Sequence, residues 1–83
     1  NNVIIQGTYG CTLQHAGRNQ EAVKVLGPVV QATPKDAWSR YCLGKGLLAE
    51  KRAADARNHL QQVLRDDPRF PRRAEIEKIN GVH

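Results

Sequence analysis

Eighty-three residues hold one domain with a modest core, because a short chain buries a smaller share of its surface than a long one. No apolar run exceeds three residues, Val3-Ile4-Ile5 being an example, which excludes a membrane span of about 20 residues. The net charge of +5 is spread as +1, +3 and +1 over residues 1–34, 35–64 and 65–83 with acids interleaved, so direct nucleic-acid binding, which needs bases gathered on one face, is not expected.

The predicted elements are all helical. In the first, over about residues 3–16, Tyr9 and Leu13 stand four apart and share a face, with Gly10 beside that stripe to admit a close neighbour. Gly17 ends it as a C-terminal cap. Asn19 is the expected cap of a second helix, whose residues Ala22, Val25, Leu26, Val29 and Val30 recur at helical period. Gly27-Pro28 lies inside it, and an interior proline removes a backbone bond at a cost of about 3 kcal/mol, so a bend or a reorganised helix is expected there. Thr33-Pro34 stops it, because a residue before proline is driven out of the helical region. Asp36 starts a third helix, from Ala37 to about Ala49, with Leu43 and Leu47 four apart. A fourth runs from about Ala53 to Arg65, turning Ala56, Leu60, Val63 and Leu64 inward, and Asp67-Pro68 closes it. Pro71 suits the first position of a fifth, which runs to Asn80 and stops at Gly81.

A shift of 34 residues superposes Gly10 on Gly44, Leu13 on Leu47, Arg18 on Arg52, Ala22 on Ala56, Leu26 on Leu60, Val29 on Val63 and Pro34 on Pro68. Self-similarity at this period marks stacked helical hairpins. The pattern Tyr9-Gly10, Leu13, Gly17, Ala22, Leu26, Val29, Pro34, repeated as Leu43-Gly44, Leu47, Ala56, Leu60, Val63, Pro68, resembles the tetratricopeptide repeat (TPR) family. The resemblance implies an all-α, right-handed solenoid of two antiparallel hairpins in one domain, with repeats at 3–34 and 37–70 and a capping helix at 71–80. Two departures stand out: Lys51 replaces the turn glycine Gly17, and Trp38 precedes by two residues the aromatic usual in the family. The chain has no Met, and together with the polar final helix this suggests the C-terminal part of a longer protein.

Catalytic chemistry does not assemble from the residues. Of His15, His59 and His83, His15 has Cys11 four residues before it, and two ligands fall short of the four of structural zinc. No enzyme, cofactor or metal is expected. Cys11 and Cys42 lie in neighbouring repeats, where a disulfide is geometrically conceivable, and are read as two small buried thiols. What the resemblance implies instead is a non-enzymatic scaffold that takes a protein or peptide in a groove lined by the first helices. The matching positions are Ile4, Gly7, Cys11, Gln14 and His15, then Trp38, Tyr41, Lys45, Leu48 and Ala49, then Arg72, Glu75 and Ile79. Trp38 and Tyr41 are three apart on one face and suit binding anchors. Gly7 and Cys11 stand where a carboxylate-clamp subtype of the family needs Lys and Asn, so chaperone-tail binding is not implied. The alternative is a self-associating assembly module, a homodimer through apolar surface at Val3, Ile4, Ile5, Val23 and Val25 that no preceding repeat covers. The Phe70-Pro71-Arg72-Arg73-Ala74-Glu75 ending is similar to tails of bacterial TPR proteins of cell-envelope and exopolysaccharide-export systems.

Overall fold

The computed structural model describes residues 2–81 as five helices: α1 Val3–His15, α2 Asn19–Ala32, α3 Ala37–Ala49, α4 Ala53–Asp66 and α5 Arg73–Asn80. No strand occurs among the described residues, and His83 lies outside them. α1 packs on α2 and α3 on α4, as three-residue connections dictate; α3 packs also on both α1 and α2, and α5 closes on α4. The result is an all-α helical repeat.

Both hairpins turn by the same device. In the first, the Gly17 N–H donates to the Gln14 carbonyl at 3.1 Å and the Arg18 N–H to that of Leu13 at 2.9 Å, with Gly17 at φ +83°. These are the two bonds of a Schellman motif, which satisfies carbonyls at the helix end. The second hairpin copies it: Lys51 N–H reaches Leu48 at 3.0 Å and Arg52 N–H reaches Leu47 at 2.9 Å. Lys51 therefore holds φ +63°, a left-handed conformation that a residue with a Cβ adopts only at a cost of about 1–2 kcal/mol.

The starts of the helices differ from expectation in two places. Asn19 is the first residue of α2 and not its cap; Arg18 holds the cap position without a side-chain cap bond, and Asn19 Nδ2 instead donates back to the Gly17 carbonyl at 3.3 Å. Arg18 and Arg52 each reach an acid in the following first turn, Glu21 and Asp55, where negative charge suits the helix dipole. Pro71 lies in a turn ahead of α5, which begins at Arg73. Asp36 caps α3 as expected, accepting from Ser39 N at 3.2 Å and Ser39 Oγ at 2.7 Å. α2 runs through Pro28 without interruption.

Each hairpin is held by a leucine set against a glycine. A Cβ built on Gly10 would stand 2.5 Å from Cγ and Cδ2 of Leu26, and one on Gly44 would stand 2.7 Å from the same atoms of Leu60. Leu26 and Leu60 are both fully buried, with Ala22 and Ala56 beside them. Around them Leu13, Val30, Leu43, Leu47, Val63, Phe70 and Ile76 complete one continuous core. Tyr9, read in the sequence as the partner of Leu13, is 49% exposed because none of the described helices lies over that side of α1.

The cysteines correct the sequence reading. They are a disulfide, Cys11–Cys42, with Cα atoms 5.3 Å apart, and no thiol is free among the described residues. The lateral packing of α3 on α1 brings together two side chains that no spacing along the chain relates.

Two stability measurements follow. Lys51→Gly is expected to raise stability by about 1 kcal/mol, or about 4–8 °C in Tm, by removing the left-handed strain. The disulfide closes a loop across a sequence separation of 31. Cys11→Ser/Cys42→Ser, or a dithiol reductant, is expected to cost about 2–4 kcal/mol in thermal or urea unfolding.

Candidate functional site

The first helices α1 and α3 leave a hollow of about 280 Å³ between them. Its floor is the Cys11–Cys42 disulfide, with Gly7 and Ser39 alongside. Gly7 is required there: a Cβ on it would come within 2.6 Å of Ser39 Oγ. Ile4, 77% exposed, and Trp38, 48% exposed, are the apolar walls, and His15 and Asp36 sit at the rim. The Asp36 carboxylate is committed to Ser39, so it is a positioned cap and not a free acid.

Trp38 is exposed on one side and supported on the other. Its ring meets Tyr41 edge-on at 5.6 Å and Phe70 at 4.8 Å between centroids, and Tyr41 meets Phe70 at 5.4 Å. Such pairs contribute about 0.5–1.5 kcal/mol each beyond the area they bury. Tyr41 and Phe70 are buried. The two aromatics that share a face in the sequence thus have different situations: Tyr41 is the support and Trp38 the presented surface.

Beyond Trp38, α5 is fastened to α3 by a carboxylate. Glu75 accepts from the Tyr41 hydroxyl through Oε1 and from Lys45 Nζ through Oε2 at 2.6 Å. Lys45 Nζ also lies 5.7 Å from the centre of the Tyr41 ring. The Lys45 bond, then that of Tyr41, holds the Glu75 carboxyl below its ordinary range. Burial, reinforced by the adjacent carboxylate, pushes the Tyr41 phenol up to about 12. Tyr41 therefore stays protonated and donates its hydrogen bond to Glu75 at every physiological pH, and the charge of Lys45 is already matched.

The other residues singled out in the sequence are dispersed. Arg72 is exposed at the start of α5, while Gln14, Leu48 and Ile79 are half-buried, the last two against the core. Val23 lies between repeats, where a Cβ on Gly46 would meet it at 3.2 Å. Val3 and Val25 share a separate hollow of about 360 Å³ between α1 and α2, and Ile4 and Ile5 project from α1. Val3, Ile4, Ile5, Val23 and Val25 are thus distributed over three places. His59 fastens α3 to α4: Arg40 Nη1 lies 3.2 Å from its Nδ1, and burial followed by that guanidinium lowers its pKa, favouring the neutral ring that accepts. Cys11, held in the disulfide, is no thiolate partner for His15. Sequence reading did not find Phe70 or the Glu75 bridge to Tyr41, separations of 29 and 34 residues from Tyr41 that only the docking of α5 closes.

A model of the tetratricopeptide repeat family matches residues 13–76 of this chain. No curated protein and no solved structure matches it.

The Glu75 bridge has a defined acid dependence. Because the folded carboxyl titrates below its ordinary value of 4.5, its contribution is complete above that pH and is lost as pH falls through the lowered value. Glu75→Gln is expected to lower stability at pH 7 by about 1 kcal/mol, a figure discounted because the carboxylate is about a third exposed. Melting temperatures measured from pH 7 to pH 3 should fall less steeply in the variant than in the parent chain.

Proposed function

This chain belongs to the tetratricopeptide repeat family, whose members mediate protein–protein interaction, and on that premise we propose that it is a non-enzymatic scaffold binding a peptide or partner helix in the groove along α1 and α3. The observation that carries this reading is Trp38. A large side chain half open to solvent, with its ring fixed by Tyr41 and Phe70, loses little freedom when a ligand covers it. Rigid aromatic anchors of this kind dominate binding energy at interfaces.

The lining selects the chemistry of the occupant. Ile4 and Trp38 face a hollow whose floor is a disulfide, so an apolar side chain on the ligand is the natural anchor. Lys45 is engaged by Glu75, and Arg72 is exposed at the start of α5. The hollow therefore favours an apolar anchor over an acidic tail, with Arg72 available to a carboxylate further along the ligand.

Trp38 is the only tryptophan, so its fluorescence reports the site directly. Peptides selected on the folded chain from a random display library should shift that fluorescence on binding. Trp38→Ala should weaken their binding by about 2 kcal/mol or more, a factor of about 30, while leaving the helical circular dichroism unchanged. Selected peptides that bind Trp38→Ala as tightly as the parent would place recognition elsewhere.

A further inference from the structure

The chain has two cysteines and no methionine, so all of its sulfur lies in the Cys11–Cys42 bond. The two ends of that bond are not equally placed. Cys42 is 1% exposed and belongs to the same buried core as Leu43 and Leu47. Cys11 is half-buried at the edge of that core. Both border the hollow between α1 and α3, but the sulfur with surface open to it is that of Cys11. The approach is clear as well: Gly7, one turn before Cys11, adds no side chain, and the walls Ile4 and Trp38 and the rim residue His15 are exposed.

The surroundings suit Cys11 in either of its states. As half of a disulfide it has no proton to give, yet its Sγ lies 3.7 Å from the Trp38 carbonyl, within reach of a thiol hydrogen bond. Freed from Cys42, the Cys11 thiol finds that acceptor already in place. Disulfides exchange by attack of a thiolate on one of the two sulfurs, and access governs which is attacked. An open sulfur on a buried one, at the floor of a hollow, directs that attack to one side.

We propose that Cys11 is a site of reversible thiol–disulfide exchange, where a small thiol of the glutathione class enters the hollow and forms a mixed disulfide. The thiolate attacks Sγ of Cys11, and the new S–S bond forms as the bond to Cys42 breaks. The electron pair leaves on Cys42 Sγ, which takes up the proton that the attacking thiol gave up. The small thiol is oxidised and Cys42 is reduced, so no further oxidant or reductant is needed. The adduct stays in the hollow between Ile4 and Trp38. The packing of α3 on α1 holds Cys42 opposite Cys11, with Cα atoms 5.3 Å apart in the bonded state, so the reverse attack re-forms the bond and expels the thiol. This inference does not depend on what the groove binds.

The test treats the folded parent chain briefly with excess reduced glutathione. After an acid quench, unfolding and alkylation with N-ethylmaleimide, peptide mapping should find glutathione on Cys11 and the alkyl group on Cys42, at least about 10-fold over the reverse. Single variants give a second measurement, with circular dichroism confirming the fold. With oxidised glutathione, Cys42→Ser should form its adduct at least about 10-fold faster than Cys11→Ser, and urea should abolish the difference. Variants that lose their helices leave the decision to the mapping of the parent. Glutathione found equally on both sulfurs, or chiefly on Cys42, overturns the proposal. So does a parent chain that reacts in urea but forms no adduct while folded, since the bond is then sealed from small thiols.

Discussion

The contact on which the rest of this structure depends is a leucine lying where a neighbouring helix has no side chain. Leu26 against Gly10 and Leu60 against Gly44 bring the two helices of each hairpin closer than any Cβ permits. Burying such a leucine contributes about 1.5–3 kcal/mol, and the close approach adds dispersion contacts along both helices. The rest of each repeat follows from that distance. Ala22 and Ala56 are small because the helices are near, and both turns must reverse the chain within three residues, which the left-handed conformation of Gly17 and Lys51 accomplishes. That Lys51 is held there at a steric cost shows how strongly the packing of α3 on α4 dictates the turn.

Between repeats, the bonds are of a different kind. Apolar packing of α3 on α2 is supplemented by a covalent link from α3 to α1, and α5 is held to α3 by hydrogen bonds to a carboxylate. Both devices lie on the side that carries Trp38. A short array has little core, and these links tie its first helices together in addition to apolar packing. The disulfide lines the hollow between α1 and α3, and Glu75 engages Lys45.

α1 and α5 differ in how they are covered. α5 covers the second hairpin with Ile76 inward and the charged residues Arg73 and Lys78 outward. Among the described residues no helix lies over the corresponding side of α1, and Ile5 and Tyr9 are exposed at positions whose counterparts in α3, Ser39 and Leu43, are buried.

The sequence by itself determined the helices and their pairing. Gly10, Leu26, Gly44 and Leu60 recur at 34 residues because the same contact is made twice, and Asp36, Gly81, Pro34 and Pro68 mark boundaries through local backbone chemistry that needs no partner. The helical spacing placed Trp38 and Tyr41 on one face, and the family resemblance made them candidates for the groove. Only the tertiary structure decided that Tyr41 supports it from beneath, that Cys11 and Cys42 are joined, that Lys45 is spent on Glu75, and that Val23 faces the next repeat and not open solvent. Those outcomes depend on how α3 is rotated against α1 and where α5 lands. Rotation and docking are set by the sum of many contacts between distant residues, and no period along the chain encodes them.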